Sequence, residues 1–279
     1  MQIIKDPLEM QQIALAVRAA GKRLGVVPTM GFLHAGHLSL VQLAHERSDV
    51  VVLTLFVNPT QFGPKEDLAK YPRDFERDAE LCRTAGVDIL FAPEAGAMYA
   101  PDASSYVSEE KLTRGLCGAS RPGHFRGVCT VVAKLFNLCL PHVAVFGAKD
   151  AQQLRVIRRM TRDLNFPIEI VAGPTIREPD GLALSSRNVY LSAAERRQAL
   201  VLKRALDEAA RLFKSGERAA AALRAAMEQI ITQAPAARID YIEIVDDDTL
   251  EPVPTLTRPT LIALAVFLGK TRLIDNAVL

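Results

Sequence analysis

The sequence predicts an α/β protein: a parallel sheet covered by helices on both faces, followed by a smaller α+β part. Three observations carry this. From Arg23 to Val171 short apolar runs alternate with segments of helical period. The runs are apolar at successive residues, as in strands buried on both faces, and are too short for spanning helices. After Pro174 the alternation stops, and two helical segments precede two strand candidates, the ordering of a small α+β domain.

The elements follow in order. Arg23–Thr29 is strand-like and Leu38–Arg47 helical. Val50–Phe56 is a buried strand. Phe75, Ala79, Cys82 and Gly86 mark one face of the next helix, and Val87–Ala92 is a strand. Val128–Leu140 is helical with Val132, Leu135, Phe136 and Cys139 on one face. Val143–Phe146 is a strand, Gln152–Asp163 a helix and Ile168–Val171 a strand. Gly173-Pro174 breaks the pattern, which divides the chain into domains 1–175 and 176–279. In the second, Ser192-Ala193-Ala194-Glu195 is a capping box opening a helix with Leu202, Leu206, Ala209 and Phe213 on one face. A helix carrying Leu223, Met227 and Ile230 follows Gly216, then strands Ile239–Val245 and Leu261–Leu268 joined by a Pro-rich connection.

Composition narrows the class. Apolar residues make up 49% and charged residues 24% of 279, ordinary for a globular protein. A net charge of +2, 6% aromatics and no Trp give no case for a nucleic-acid surface. The four cysteines form no CxxC pair, and Cys82, Cys129 and Cys139 fall in amphipathic helical patterns, as buried thiols do. The N-terminus lacks a signal-peptide core, and the longest apolar run, Leu261–Leu268, is strand-sized, so a cytoplasmic protein without membrane contact is expected.

Open α/β sheets bind ligands at the carboxyl ends of their strands. Three segments lie there: Pro28–His37, Val57–Phe62 and Gly147–Gln153. In the first, His34-Ala35-Gly36-His37 stands at a strand-to-helix junction, where unpaired N–H groups and the helix dipole favour phosphate. Two imidazoles add donors, and the Ala-Gly step lets a ligand approach the backbone. The pair has a metal reading too, but Glu46 and Asp49 lie too far along to complete a site, and His45 is eight residues on.

Asn58 and Gln61 leave a hydrophobic strand on either side of Pro59, and primary amides suit the hydroxyls and carboxylates of a small polar ligand; a solvent-facing Asn-Pro turn is the plainer reading. Lys149 can place a charge on a triphosphate, and Asp150 can cap a helix or hold a magnesium water. Ser185, Ser186 and Arg187 can grip a leaving pyrophosphate, although such a loop is often only a loop. Arg121-Pro122-Gly123-His124-Phe125-Arg126-Gly127 reads as a flap, an anion contact or a solvated loop.

Taken in order, Pro28–His37, Phe56–Phe62, Tyr71-Pro72-Arg73, Arg121–Phe125, Gly147–Gln153 and Leu184–Asn188 resemble the signatures of the pantoate–β-alanine ligases. HxGH alone resembles only the wider group of adenylylating nucleotidyltransferases. The likeness runs from about residue 20 to 192, with one departure: the family has Glu and often Tyr where Ala148 and Ala151 stand. The resemblance implies a Rossmann-like domain with a C-terminal lid, usually in a homodimer. It also implies condensation of (R)-pantoate with β-alanine by ATP and Mg2+, through a pantoyl adenylate, giving pantothenate, AMP and pyrophosphate. His37, His34 and Lys149 are then the expected catalytic residues. Met30, His34, His37, Gly147, Lys149, Asp150, Ile176, Leu184, Ser185, Ser186 and Arg187 are expected at ATP. Gln61 and Gln153 are expected at pantoate, and Asn58 and Gln61 at β-alanine. An enzyme transferring a nucleotidyl group to a phosphorylated acceptor is the alternative, but it would need more basic residues than Asn58, Gln61 and Gln153 supply.

Overall fold

The computed structural model describes residues 1–64 and 66–279. Its elements run β1 (Gln2–Ile4), α1 (Pro7–Ala19), β2 (Leu24–Thr29), α2 (Ala35–His45), β3 (Val50–Leu55), α3 (Phe75–Thr84), β4 (Ile89–Phe91) and α4 (Ala95–Met98). Then come α5 (Leu116–Ser120), α6 (His124–Cys139), β5 (Val143–Gly147), α7 (Ala151–Asp163) and β6 (Glu169–Gly173). The remainder is α8 (Ala193–Gln198), α9 (Val201–Lys214), α10 (Ala220–Ile231), β7 (Ala237–Asp246), β8 (Thr260–Leu268) and β9 (Thr271–Val278). The chain folds into two compact units that interleave in sequence. One comprises 1–110, 121–148 and 156–174; the other comprises 111–120, 149–155 and 175–279.

The first unit holds a parallel sheet in the order β1-β4-β3-β2-β5-β6. Val27, Val51, Leu53, Leu90, Val143 and Val145 pack against Leu40, Val41 and Ala44 of α2 and Ala79 and Cys82 of α3. Helices α1 and α6 pack against each other and against β2. The chain moves outward from β2 through β3 to β4, then returns to β5 on the other side of β2. The ends of β2 and β5 therefore flank the switch point at which such sheets take ligands.

The second unit is built on the antiparallel sheet β7-β8-β9, with a register irregularity between Ile239 and Tyr241. Leu202, Leu206 and Ala209 of α9 and Leu223 and Met227 of α10 share a core with Ile242, Ile262, Leu264 and Val266. The capping box at Ser192 forms, with Ser192 and Glu195 bonding reciprocally. The single helix expected beyond it is pinched into α8 and α9. Ala199 and Leu200 stay near helical dihedrals, but Leu202 N–H donates to Ala199 O, three residues back.

Candidate active site

The His34–His37 step forms where β2 ends and α2 begins. Gly31 and Phe32 both take positive φ, 82° and 51°, which turns the chain sharply out of the strand. His34 is then the N-cap of α2 in extended conformation. Its Nδ1 accepts from Gly36 N–H at 3.2 Å, while His37 Nδ1 accepts from His34 N–H at 3.3 Å. The two histidines thus close a reciprocal cap of the kind Ser and Glu usually make. A nitrogen that accepts carries no proton, so each neutral ring has its N–H on Nε2. The rings lie 4.1 Å apart, tilted by 33°.

Two residues of α3 fix this turn. Asp78, 1% exposed, accepts from Phe32 N–H at 2.6 Å and from Leu33 N–H at 2.8 Å. Arg77 donates to Leu33 O at 2.9 Å, and its guanidinium lies 5.2 Å from the Phe32 ring centre. Burial raises the Asp78 pKa, outweighing the two backbone N–H groups and Arg77, which pull it down. Sequence reasoning missed both residues, because helix α3 sits more than 40 positions from the turn it holds. An Asp at the helix start reads from sequence only as a dipole-favoured acid.

Beyond β3, Asn58 caps a short 3₁₀ turn, Pro59–Gln61. Asn58 is 1% exposed and its amide is fully engaged. Nδ2 donates to Gln61 Oε1 and to Gly127 O, both at 3.1 Å. Oδ1 accepts from Thr60 Oγ1 and from Tyr99 Oη, both at 2.9 Å. Gln61 Nε2 donates to Met30 Sδ at 3.0 Å. An amide has two N–H donors and two acceptor positions, so Gln61 keeps one of each beyond these bonds. Helix α6 reaches this corner because Gly127 has no side chain: a Cβ there would lie 2.4 Å from Thr60 O. His124 Nδ1 meets Gln61 O at 2.8 Å and its Nε2 meets Arg121 Nη1 at 3.0 Å. A carbonyl only accepts and a guanidinium only donates, so His124 carries its proton on Nδ1. Arg121 also donates from Nε and Nη2 to both oxygens of Glu66, each at 2.7 Å. Burial pushes the Glu66 pKa up, but Arg121 overrides it and the net shift is downward. The expected flap or anion contact is thus an inward-facing brace.

In the second unit Lys149, Asp150 and Gln153 lie at the start of α7. Lys149 Nζ is 3.9 Å from the half-exposed Asp150 carboxylate. Gln152 is buried and donates to Leu112 O and Gly115 O at 2.7 and 2.9 Å, which ties down the 111–120 segment. Ala151 packs with Leu116, Val245, Leu261 and Ala263. Ile176 and Leu184 face each other across a short antiparallel turn, Leu184 N–H donating to Ile176 O at 3.0 Å. Ser185 Oγ caps the following 3₁₀ turn, Ser186–Tyr190, by accepting Arg187 N–H at 3.2 Å. Arg177 binds Asp275 through both terminal nitrogens, at 2.6 and 2.8 Å, and this hydrogen bonding raises its pKa further.

Among the expected site residues, the first unit collects Met30, His34, His37, Asn58, Gln61 and Gly147. Met30, Asn58 and Gln61 touch one another in a chain. The second unit collects Lys149, Asp150, Gln153, Ile176, Leu184, Ser185, Ser186 and Arg187. The four cysteines are buried and free, and burial pushes the thiols of Cys82, Cys129 and Cys139 up to about 12. No helix among the described residues is long and apolar enough to cross a membrane.

A parallel sheet whose histidine-capped helix starts at the switch point places the chain among the doubly wound α/β proteins, which take ligands there. Comparison with known proteins makes this specific. Residues 2–278 match the family model described as pantoate-beta-alanine ligase. Pantothenate synthetase of Thermotoga neapolitana is 55% identical over the full length of both chains. That of Moorella thermoacetica is 57% identical over all of this chain and 99% of its own. The crystal structure of pantothenate synthetase from Thermus thermophilus superposes with a TM-score of 0.93 at 47% identity, covering 99% of each chain. Pantoate-beta-alanine ligase from Francisella tularensis, solved with beta-gamma ATP and beta-alanine, matches at TM-score 0.80 and 30% identity. It covers 100% of this chain and 97% of its own. The chain belongs to the pantoate–β-alanine ligase family, and its reaction is the joining of pantoate to β-alanine.

Proposed function

We propose that the ligation runs in two steps on the residues described above. A free carboxylate is a poor acyl donor, so the (R)-pantoate carboxylate first attacks the α-phosphorus of ATP and pyrophosphate leaves. The amine of β-alanine then attacks the carbonyl carbon of the pantoyl adenylate, loses a proton and expels AMP, giving pantothenate. The protein's part is to position the reactants and stabilise charge.

One observation carries the assignment: both Nδ1 atoms of the His34–His37 pair accept backbone N–H groups. Each neutral ring therefore carries its N–H on Nε2, the tautomer that can donate, at a helix terminus whose dipole also favours anions. His37 has the larger share in stabilising the α-phosphate. Lys149, Ser185, Ser186 and Arg187 hold the β- and γ-phosphates, and Met30, Gly147, Asp150, Ile176 and Leu184 line the nucleotide. Gln61 and Gln153 hold pantoate. Gln61 also meets the β-alanine amine, and Asn58, whose amide is saturated within the protein, serves this subsite by fixing Gln61. Asp150, one carboxylate beside a lysine, suits a magnesium ion most of whose ligands are phosphate oxygens and water. When bound, magnesium neutralises part of the phosphate charge. The same reading takes 1–175 as a Rossmann-like domain, 176–279 as a C-terminal lid domain and the protein as a cytoplasmic homodimer.

His37→Ala should slow pantoate-dependent pyrophosphate release by at least about 10²-fold, the usual cost of losing a transition-state donor. The melting temperature should stay near wild type. Single-turnover release at the wild-type rate would refute the role of His37.

A further inference from the structure

Asp275 and Asn276 stand side by side on β9. The Asp275 carboxylate is 3% exposed and grips both terminal nitrogens of Arg177. Its Oδ1 also accepts Asn276 N–H at 2.8 Å. Arg177 in turn donates to Gly181 O at 3.1 Å and pairs with Ala183 across the turn. One buried carboxylate thus anchors the 176–184 turn, whose next residues are Ser185, Ser186 and Arg187. Asn276 points to the other phosphate-directed segment: its Nδ2 donates to Lys149 O at 2.8 Å.

We infer that Asp275 and Asn276 are positioning residues for the phosphate tail of ATP, holding the main chain from which Lys149 and Ser185–Arg187 project. The inference rests on the assignment of those residues to the β- and γ-phosphates. Donors stabilise a departing pyrophosphate only when their placement is fixed before reaction. Lys149 is a long, flexible side chain, so the fixed point it starts from governs its reach. A buried Arg–carboxylate pair is a weak source of stability, because desolvation offsets its attraction. What the fork-to-fork geometry of Arg177 and Asp275 supplies is orientation.

The test is a double-mutant cycle in the full-length enzyme, with Asn276→Ala, Lys149→Ala and the double variant, read as kcat/KM for ATP and for pantoate. Asn276→Ala removes the donor to Lys149 O. It should lower kcat/KM for ATP about two- to twelvefold, the scale of one hydrogen bond. The KM for pantoate should be unchanged. In the Lys149→Ala background the same change should cost less than about twofold, because the side chain it positions is gone. Arg177→Lys keeps the charge and loses the fork, and should also reduce kcat/KM for ATP without moving KM for pantoate. Full additivity of Asn276→Ala in an impaired Lys149→Ala enzyme would overturn the positioning role alone. A KM for pantoate raised as much as that for ATP would overturn it too. Wild-type ATP kinetics in Lys149→Ala would overturn the phosphate assignment and this inference with it.

Discussion

Gly127→Ala adds one methyl group where helix α6 touches the Pro59–Gln61 turn. The new Cβ would lie 2.4 Å from Thr60 O and 2.6 Å from both Gln61 Cα and Gln61 N. All three atoms belong to the backbone, so no rotamer change relieves the clash. Restoring an ordinary contact moves the turn away from the helix by about 1 Å. The 3.1 Å bond from Asn58 Nδ2 to Gly127 O then breaks, and with it the hold of Asn58 on Gln61. Overpacking of this kind costs about 1–3 kcal/mol of stability. A misplacement of about 1 Å at a substrate contact can cost about 10²-fold in rate. The assay is initial-rate kinetics with each substrate varied in turn, beside a thermal melt. kcat/KM for pantoate should fall about 10- to 100-fold, with KM for ATP nearly unchanged and a melt lowered but cooperative. Wild-type pantoate kinetics, or a KM for ATP raised as much as that for pantoate, would refute the role given to this corner.

Other perturbations test separate parts of the site. Asp78→Asn offers one acceptor atom where Phe32 and Leu33 each present an N–H, so pyrophosphate–ATP exchange should drop roughly 10- to 100-fold; exchange at the wild-type rate would refute the clamp on the His34 turn. Glu66 has a folded pKa below its unfolded value, so its contribution is present above the ordinary glutamate range and is lost as pH falls through the folded pKa. In urea melts Glu66→Gln should therefore lose less stability than wild type as pH falls from about 5 to about 3, and parallel losses would refute the Arg121 brace. With Cys82, Cys129 and Cys139 buried and their thiols pushed up to about 12, a disulfide reagent should label them only after denaturant is added; fast labelling of all three in the native enzyme would contradict their packing.

The central strands and helices were legible because each was a continuous apolar run or a helical stripe, the two patterns that burial imposes directly. Val50–Phe56 and Leu261–Leu268 are of this kind. Strand β1 was not legible, being three residues long at the sheet edge, nor was α1, despite an Asp6 cap and Pro7 at its start. Strand β9 hides because its inward positions include Asp275, where the alternation would put an apolar residue. The histidine pair, the amides and Lys149 could be singled out in sequence, since each stands at a strand end. Their supports could not. Asp78, Tyr99, His124, Asp275 and Asn276 act across separations from 41 to 127 positions, and a hydrogen bond over such a distance leaves no local signature. The full engagement of Asn58 likewise follows from three-dimensional partners, Gly127 and Tyr99 among them.

The most direct measurement omits β-alanine. The enzyme is mixed with ATP, magnesium and pantoate, and pyrophosphate is followed in a single turnover. One equivalent of pyrophosphate per active site, released before any β-alanine is added and accompanied by an acid-labile pantoyl adenylate, is the predicted result. No pyrophosphate until β-alanine arrives would contradict a site built to activate pantoate first.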